Sequence, residues 1–379
     1  MRTCFRKIRR AGGRRAVSPR LIGRALALGA MTVLVAGCKG SQSALDPKGP
    51  QAGRIAGLWW LTFWVCTAVY VLVLLVVAGA LVLKRRKGPP VAKDPTSPVT
   101  DPRGGPASDP PVVTLDPAGE RRIGMVVGSA VGLTVIILFV LLFADFITGQ
   151  HVHGFANTKN TVSITLTGHQ WWWEVRYDDS TPSDVFTTAN EIHIPVGRPV
   201  GIQLQSSDVI HSFWVPNLHG KKDLIPGHPT VIYLQADQPG TYYGQCAEYC
   251  GYQHANMRLV VVAESQEHFD QWIGNQRQAA QPPEKLTAKQ NQGRLVFMGR
   301  TCVMCHTIRG TGAGGRLGPD LTHLATRQTL GAGTIPNNVG HLGGWVMDPQ
   351  RIKPGVYMPQ NSLSADELQA LLEYLRSLD

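Results

Sequence analysis

Residues 246–257 read Cys246-Ala247-Glu248-Tyr249-Cys250-Gly251-Tyr252-Gln253-His254-Ala255-Asn256-Met257. This stretch places two thiols, an imidazole and a thioether close together, and a second imidazole, His211, lies 35 residues before Cys246. Sulfur and imidazole are soft donors that favour copper over hard cations. Because a mononuclear blue-copper site uses a single cysteine, the second thiol predicts a dinuclear copper centre. In such a centre the two thiolates bridge two copper ions, and each ion keeps one histidine.

Two other interpretations of residues 246–257 remain open from the sequence. Two cysteines and two histidines are also a structural zinc set, although the nearby Met257 and the strand-rich surroundings favour copper. Alternatively, Cys246 and Cys250 form a structural disulfide and the histidines are bystanders. That alternative leaves the density of ligand-type residues in so short a stretch unexplained.

A second cysteine cluster follows downstream in Cys302-Val303-Met304-Cys305-His306. The C-x-x-C-H spacing predicts covalent haem attachment, because two thiols add to the haem vinyl groups while the adjacent imidazole reaches the iron. A candidate for the second iron ligand lies in Lys353-Pro354-Gly355-Val356-Tyr357-Met358-Pro359. Methionine in that position raises the reduction potential, which suits an electron acceptor. The other candidates are Met347, Met304 and Met298.

The charge of the chain is concentrated at its N-terminus. The formal net charge is +11, but nine Lys and Arg and no acidic residue lie in residues 1–37, which leaves +2 for the remainder. A near-neutral remainder without a basic stripe offers no electrostatic surface to nucleic acid. The basic residues precede an apolar stretch at 26–35, and this order is typical of an export signal. We therefore predict a signal peptide at 1–37 and no nucleic-acid partner.

The predicted signal ends in Leu34-Val35-Ala36-Gly37-Cys38. Small residues directly before a cysteine resemble the lipobox of bacterial lipoproteins, which implies a lipoprotein-type signal peptide and lipidation of Cys38. The alternative is an ordinary signal peptide, or a first membrane anchor, that contains a cysteine by chance.

Two apolar runs follow the predicted signal. Residues 55–83 contain no charge, and residues 123–147 are interrupted by one aspartate near their end. About 20 residues span the hydrocarbon of a membrane, so the runs predict a two-helix transmembrane hairpin over residues 55–148. Basic residues at both ends of the loop 84–122 place that loop in the cytoplasm. Residues 38–54 and the rest of the chain are then expected on the outer face.

Short apolar alternations punctuated by Gly and Pro fill the first part of the exported half. They predict an antiparallel sandwich or barrel with strands at 162–166, 171–177, 191–195, 200–204, 231–234 and 258–262. A polar stretch at 275–289 predicts a linker. The periodicity then becomes helical at 290–298 and 364–378, where Ser364 and Glu367 resemble a capping box.

The stretch at 246–257 together with His211 resembles the CuA motif of cytochrome c oxidase subunit II, and the resemblance extends from residue 55 to about residue 263. It implies an all-β cupredoxin Greek-key barrel over residues 160–264. The copper ligands that it implies are His211, Cys246, Cys250, His254, Met257 and the backbone carbonyl of Glu248. The side chain of Glu248 is expected to face a magnesium site shared with subunit I.

An aromatic segment, Gly168-His169-Gln170-Trp171-Trp172-Trp173, resembles the one through which this family receives electrons from cytochrome c. The resemblance implies that Trp171 is the surface residue at which electrons enter. An aromatic run on a strand is also often core packing or a membrane-interface anchor, and that alternative stays open.

The haem-attachment segment resembles a class I cytochrome c domain, which would cover residues 290–379. The resemblance implies an all-α domain in which Cys302 and Cys305 hold the haem covalently and His306 and Met358 are the axial ligands. Met358 is preferred because the ligand of this family precedes a proline. Pro319, in Gly318-Pro319-Asp320-Leu321, is expected to support His306.

Together these resemblances imply a multi-domain subunit of a haem-copper oxidase, which is an oxidoreductase and translocase. One covalently bound haem c passes electrons to the CuA centre, and subunit I then reduces oxygen to water and pumps protons. The implied partners are subunits I and III, membrane lipid, and a quinol-cytochrome c reductase or a small cytochrome c as donor. The implied location is the bacterial inner membrane, multi-pass, with the CuA and cytochrome c domains on the periplasmic side.

Other functions share parts of this pattern. A nitrous oxide or nitric oxide reductase component also uses a CuA centre or a fused cytochrome c, but two membrane spans before the copper domain favour an oxidase. A copper-delivery or copper-sensing lipoprotein has no use for a haem.

Glu120 lies where the family often has a glutamate at the mouth of a proton channel, but its neighbours Arg121 and Arg122 depart from the usual context. An ordinary loop carboxylate is the alternative.

Overall fold

The computed structural model describes residues 41–86, 117–152 and 161–379. The predicted signal peptide, the predicted lipidation site Cys38 and the central part of the predicted loop 84–122 lie outside the described residues. The described residues form an apolar helix pair, a β-domain and a helical C-terminal domain. This architecture confirms the fold class expected from the sequence.

Two long helices, α1 (Pro50–Arg86) and α2 (Pro117–Val152), pack along each other. Each contains a stretch with a mean hydropathy of 2.8, and by length and composition both could cross a membrane. Apolar side chains such as Leu75 and Phe143 are exposed instead of packing into a core, as expected of helices that face lipid. The Arg54 guanidinium donates to the carbonyl of His151, so one end of the pair is joined by a polar contact.

Both helices extend beyond the predicted apolar runs. Helix α1 begins at Pro50, because proline is well suited to a first turn, where its missing N–H is not needed. Gln51 in that turn is buried against the β-domain, and its side-chain amide donates to the Tyr233 carbonyl at 3.2 Å. Helix α2 begins at Pro117, which places Glu120 in its first helical turn and not in a loop.

The β-domain consists of ten strands: β1 (Val162–His169), β2 (Trp172–Asp178), β3 (Phe186–Ala189), β4 (Glu191–Pro195), β5 (Val200–Ser206), β6 (His211–Trp214), β7 (Lys222–Leu224), β8 (Thr230–Leu234), β9 (Gly240–Cys246) and β10 (Arg258–Glu264). They form two five-stranded sheets with the orders β3-β2-β1-β5-β8 and β4-β10-β9-β6-β7. Neighbouring strands are antiparallel except in the pairs β1–β5 and β4–β10. All six predicted strands are present, and β3, β6, β7 and β9 are additional.

One face of each sheet contributes to a shared apolar core. In β1 the alternating residues Ile164 and Leu166 are fully buried, and in β2 the same holds for Trp173 and Val175. Each large apolar side chain buried in this way stabilises the fold by roughly 1.5–3 kcal/mol. The result is a β-sandwich whose ends are free to carry loops with ligand residues.

The C-terminal region is mainly helical, with α3 (Gln266–Gln276), α4 (Ala288–Gly299), α5 (Cys302–Cys305), α6 (Val339–Met347), α7 (Pro349–Ile352), α8 (Ala365–Leu375) and a short ladder of β11 (Thr329–Leu330) with β12 (Ile335–Pro336). Both predicted helices are present, as α4 and α8. The predicted capping box at Ser364 and Glu367 is confirmed, and a second one joins Thr287 and Gln290 at the start of α4. Helices α4 and α8 cross closely at Gly293, where a Cβ would lie 1.9 Å from the Ala370 carbonyl oxygen.

The β-domain and the helical domain are joined by polar contacts as well as by the chain. The first residues of the predicted linker 275–289 belong to α3, and the Ala280 amide donates to the Arg309 carbonyl at 3.0 Å. Glu191 of β4 is buried and accepts from the Gln328 and Thr329 amides at 2.6 and 3.3 Å. The linker is therefore packed, and the two domains share an interface.

Candidate metal and haem sites

The donor residues of the first cysteine cluster converge at one end of the β-domain. Strand β9 ends at Cys246 and pairs with β6, which begins at His211. Cys250 lies in the loop after β9, and a short 3-10 turn then brings His254 and Met257 to the start of β10. One strand pairing and one tight loop therefore assemble residues that are distant in sequence.

The two thiols and the two imidazoles form a paired arrangement. The sulfur atoms of Cys246 and Cys250 are 3.8 Å apart and are not disulfide bonded. His211 Nδ1 lies 3.9 Å from Cys246 Sγ, whereas His254 Nδ1 lies 3.7 Å from Cys250 Sγ. Each imidazole therefore approaches a different sulfur.

Two further donors flank the thiol pair. Met257 Sδ is 3.8 Å from Cys250 Sγ, and the Glu248 carbonyl oxygen is 3.2 Å from Cys246 Sγ. The ligand atoms of His211, Cys246 and Cys250 all lie within 4.8 Å of one another, and all three residues are buried. A buried set of sulfur and imidazole donors fits copper in preference to magnesium or calcium.

The two thiols of the cluster differ in pKa because they share a hydrogen bond. That interaction lowers the pKa of Cys246 and raises the pKa of Cys250. Burial acts in the upward direction on both thiols. Because the thiolate is the form that binds a metal, loading this site has to displace the proton of Cys250.

Asp208, which the sequence did not single out, contacts one of the predicted copper ligands. Its Oδ1 accepts from His211 Nε2 at 2.8 Å, and its Oδ2 accepts from the backbone N–H of Gln170 at 2.6 Å. Since Nε2 carries the proton of this hydrogen bond, Nδ1 of a neutral His211 presents its lone pair to the thiol pair. Burial lowers the pKa of His211, but hydrogen bonds with Asp208 and Cys246 outweigh burial and raise the pKa. The available signal was a carboxylate at i−3 from a candidate ligand.

The haem-attachment segment lines a cavity of about 600 Å³. Helix α5 carries both cysteines, and His306 follows it directly. His306 Nδ1 donates to the Pro319 carbonyl at 2.7 Å, which leaves Nε2 as the nitrogen with a free lone pair. A Cβ at Gly318 would lie 2.7 Å from Cε1 of His306, so only glycine allows this approach. The cavity has a size typical of sites for organic ligands, and Pro319 supports His306 through its carbonyl oxygen.

Burial also sets the protonation of the candidate iron ligand. It lowers the pKa of His306, and the hydrogen bond to the Pro319 carbonyl acts in the opposite direction without outweighing it. The neutral imidazole is the form that binds a metal. The residues around this cavity therefore fit a haem attached at Cys302 and Cys305.

The methionine candidates are separated by their positions. Met358 and Met304 line the cavity, whereas Met298 and Met347 are not among its lining residues. Met304 is 69% exposed and belongs to the attachment segment itself. The side-chain amide of Gln350 donates to the Met358 carbonyl at 2.8 Å and holds the loop that carries it. This placement favours Met358 over the other three.

Trp171 is buried, and the expectation that it lies at the surface is wrong. It is 8% exposed, because the helical domain covers it. Its Nε1 donates to the Cys250 carbonyl at 3.0 Å, and its ring lies nearly parallel to that of Tyr357 with 6.2 Å between centroids. Trp171 also lines the cavity at the attachment segment. It therefore touches the thiol cluster on one side and the candidate haem site on the other.

The Glu248 side chain has a different environment from its carbonyl. The carboxylate is 44% exposed, and its Oε2 lies 3.7 Å from Lys221 Nζ. A magnesium ion needs several oxygen ligands, so one carboxylate of this chain does not form such a site alone. The predicted magnesium site depends on a second subunit.

The described residues thus combine a buried cluster of soft donors in a β-sandwich, a C-x-x-C-H segment in a helical domain and a pair of apolar helices. The family model for the periplasmic domain of cytochrome c oxidase subunit II matches residues 180–264, and the cytochrome c model matches residues 290–379. Cytochrome c oxidase subunit 2 of Alkalihalophilus pseudofirmus is 36% identical over 370 residues, which cover 94% of this chain and 96% of that protein. The chain belongs to the cytochrome c oxidase subunit 2 family.

Two further comparisons cover shorter parts of the chain. Cytochrome c oxidase subunit 2 of Bacillus sp. strain PS3 is 32% identical over 231 residues, or 58% of this chain and 63% of that one. The solved periplasmic domain of subunit II of cytochrome oxidase of Bradyrhizobium japonicum is 29% identical over 32% of this chain and 96% of that one, with a TM-score of 0.29. By its family, the chain is part of an oxidoreductase complex and carries a copper domain and a haem domain.

Proposed function

We propose that this chain is the subunit through which electrons enter a proton-pumping haem-copper terminal oxidase. Electrons pass from a covalently bound haem c in the helical domain to a dinuclear CuA centre in the β-domain, and then to subunit I, where oxygen is reduced to water. When bound, the haem and the copper pair supply the one-electron carriers. The observation that carries the proposal is the contact of Trp171 with both candidate sites.

The role of the β-domain is to hold two copper ions in a fixed ligand set. The proposed ligands are His211, Cys246, the carbonyl of Glu248, Cys250, His254 and Met257. A single tetrahedral zinc ion would need its four donors within about 4 Å of one another. The group of donors within 4.8 Å contains His211, Cys246 and Cys250 but not His254. This separation supports two ions that share the thiol pair.

The role of the helical domain is to attach and orient one haem. Cys302 and Cys305 are the proposed attachment residues, and His306 and Met358 are the proposed axial ligands. The Pro319 carbonyl fixes the ring of His306 through Nδ1. Apolar residues such as Phe297 and Leu342 line the cavity and exclude water from it.

Trp171 is the proposed residue by which electrons enter the copper domain, and it receives them from the attached haem domain instead of from a free surface. Its hydrogen bond to the Cys250 carbonyl leads directly to a proposed copper ligand. Glu248 has two proposed roles, since its carbonyl serves copper while its exposed carboxylate serves a magnesium ion at the contact with subunit I.

The apolar helix pair supports a position in the bacterial inner membrane with both domains on the periplasmic side. The proposed partners are subunits I and III, membrane lipid, and a quinol-cytochrome c reductase or small cytochrome c as donor. Lipidation of Cys38 would add a second anchor.

The proposed function is tested by oxygen consumption of the assembled oxidase. The variant Cys250→Ser should abolish consumption driven by reduced cytochrome c, while the haem of this chain remains reducible. The matched control Cys66→Ser, at an exposed thiol of α1, should behave as the wild type. Continued oxygen consumption in Cys250→Ser would show that electrons do not cross the thiol cluster.

A further inference from the structure

The loop that carries the proposed iron ligand Met358 lies directly on the copper domain. Residues 353–357, called here the cover loop, each contact residues that surround the thiol cluster or pack on the β-domain core. This contact explains why Trp171 is only 8% exposed although it precedes β2 at the end of the sandwich.

Lys353 fastens the start of the cover loop. Its side chain is 1% exposed, and its Nζ donates to the carbonyls of Trp171 at 2.8 Å, Asn256 at 2.7 Å and Gly331 at 2.7 Å. Two of these acceptors belong to the β-domain and one to the helical domain. An ammonium group has three donors, and here each of them has a carbonyl partner. Lys353 therefore ties the two domains together at Trp171.

The middle of the cover loop is held by side chains of the copper-ligand loop. The Gln253 amide donates to the Pro354 carbonyl at 2.7 Å. Gly355 has φ = +87°, and a Cβ there would meet Tyr252 at 3.4 Å and Trp171 at 4.0 Å. Val356 packs against the β-domain core. A hydrogen bond and apolar packing therefore both hold the middle of the cover loop on the β-domain.

Tyr357 completes the cover over the tryptophan ring. Its ring lies at 10° to that of Trp171, and its hydroxyl donates to Oε1 of Gln170 at 3.2 Å. Its other face is open, since Tyr357 is 77% exposed. A protein that approached Trp171 from outside would meet Tyr357 first.

We infer that the cover loop, clamped by Lys353, closes Trp171 to soluble donors and makes the attached haem domain the sole donor to the copper site. The inference rests on the proposed function. One electron moves from the reduced haem of this chain, which is oxidised, to the oxidised copper pair, which is reduced. Reduced soluble cytochrome c supplies electrons to the haem and has no direct route to copper. Lys353 acts as a positioning residue in this step.

A lysine suits this clamp because its ammonium group can point to three carbonyls at the end of a flexible stem. Burial lowers the pKa of Lys353 to about 7, which shows how far the group is removed from water. The three carbonyl acceptors oppose that loss of solvation by hydrogen bonding to the charged form. Methionine at this position keeps most of the chain length and removes all three donors.

The cover is tested first by hydroxyl-radical footprinting of the full chain, read by mass spectrometry. In the wild type, Trp171 should be oxidised as slowly as the fully buried Trp173 and far more slowly than Tyr249, which is 74% exposed. Lys353→Met should raise oxidation of Trp171 severalfold and leave Trp173 and Tyr249 unchanged. The control Lys289→Met removes an exposed lysine of α4 and should change none of the three. Wild-type Trp171 oxidised as fast as Tyr249 would overturn the inference.

A second variant covers the case in which Lys353→Met does not fold, which faster oxidation of Trp173 would reveal. Tyr357→Ser changes an exposed side chain and removes the ring above Trp171 together with its hydrogen bond to Gln170. It should also raise oxidation of Trp171 severalfold. No change in Trp171 in this folded variant would count against the cover.

The donor claim is tested by anaerobic mixing of oxidised full chain with reduced soluble cytochrome c, with copper followed by EPR of freeze-quenched samples. In the wild type the rate of copper reduction should reach a plateau as donor concentration rises, since the internal transfer limits it. In Lys353→Met a copper phase that keeps rising with donor concentration should appear, while the haem and copper spectra stay unchanged. A wild-type copper phase without a plateau would contradict the inference. If the haem never reduces copper in any variant, the proposed function fails, and the footprint alone decides the cover.

Discussion

At the scale of the residue, the copper site depends on a carboxylate that is not a proposed ligand. Asp208 orients His211 and also accepts a hydrogen bond from the backbone N–H of Gln170, the residue before Trp171. We expect Asp208→Asn to reduce copper affinity about 10–100-fold, because the amide no longer fixes the tautomer of His211. A chelator-competition titration of the full chain measures this. Asp270→Asn, on the exposed face of α3, is the control, and equal affinities of the two variants would refute the role of Asp208.

The opposite pKa shifts of Cys246 and Cys250 predict the pH dependence of copper binding. The metal-free pair keeps the proton of Cys250, whose pKa is raised, whereas the bound pair keeps none. Binding therefore releases a proton, and apparent affinity should rise about tenfold per pH unit near neutrality. Below the raised pKa of His211 the slope should steepen, since the imidazole must also lose its proton. Affinity that is independent of pH between 6 and 8, a range of about two units, would exclude a protonated thiol pair.

At the predicted haem site, Gly318 leaves room for the ring of His306. A methyl group there would press on Cε1 of His306 at 2.7 Å and break its hydrogen bond to Pro319. We expect Gly318→Ala to destabilise the helical domain by about 1–3 kcal/mol and to give a haem spectrum of mixed axial ligation. Gly314→Ala, where a Cβ meets nothing within 4 Å, is the control. Identical haem spectra and unfolding midpoints for both variants would show that the ring of His306 is not confined.

The ligand-type residues could be predicted from the sequence because their chemistry is local. The type and spacing of cysteine, histidine and methionine indicate a metal site. The residues that position them could not. Asp208 and Lys353 act through the direction of their side chains in the folded chain. The spacing of Asp208 from His211 is a weak signal, because a carboxylate three residues from a histidine is common, and Lys353 carries no local signal. The burial of Trp171 was missed for the same reason, since it depends on how two domains meet.

At the scale of the element, alternation predicted strands where one face is buried and the other polar. In β6 the residues His211, Ser212 and Phe213 are all buried, so no alternation exists. Helix α3 has only a few apolar residues in a polar segment, and α6 contains three glycines. Both helices are stabilised by packing rather than by propensity. The capping box of α8, in contrast, is local chemistry and was predictable.

The close crossing of α4 and α8 depends on the absence of a side chain at Gly293. A Cβ at Gly293 would lie 1.9 Å from the Ala370 carbonyl oxygen, which is backbone and cannot move aside. We expect Gly293→Ala to destabilise the crossing by about 1–3 kcal/mol and to raise amide hydrogen exchange in both helices. Gly299→Ala lies in the same helix with nothing within 4 Å and should leave exchange unchanged or slower. Slower exchange in Gly293→Ala would contradict the close crossing.

At the scale of the whole molecule, the three parts of the chain are fastened to one another around the candidate sites. The segment before α1 is pinned to the β-domain, where Asn217 donates to the carbonyls of Ser43 at 3.1 Å and Asp46 at 2.9 Å. On another side the helical domain is clamped through Lys353 and Glu191. The β-domain therefore contacts both the segment before α1 and the helical domain, an arrangement that suits the proposed electron path from haem to a membrane partner.

The central claim, that this chain carries a dinuclear copper centre next to an attached haem, is tested most directly by EPR with metal analysis. The full chain is produced in a host that attaches haem c and is loaded with copper. We expect two copper ions and one covalent haem per chain, with a hyperfine pattern of one unpaired electron shared equally by two copper nuclei. One copper ion per chain with the hyperfine pattern of a single nucleus, or zinc in its place, would contradict it.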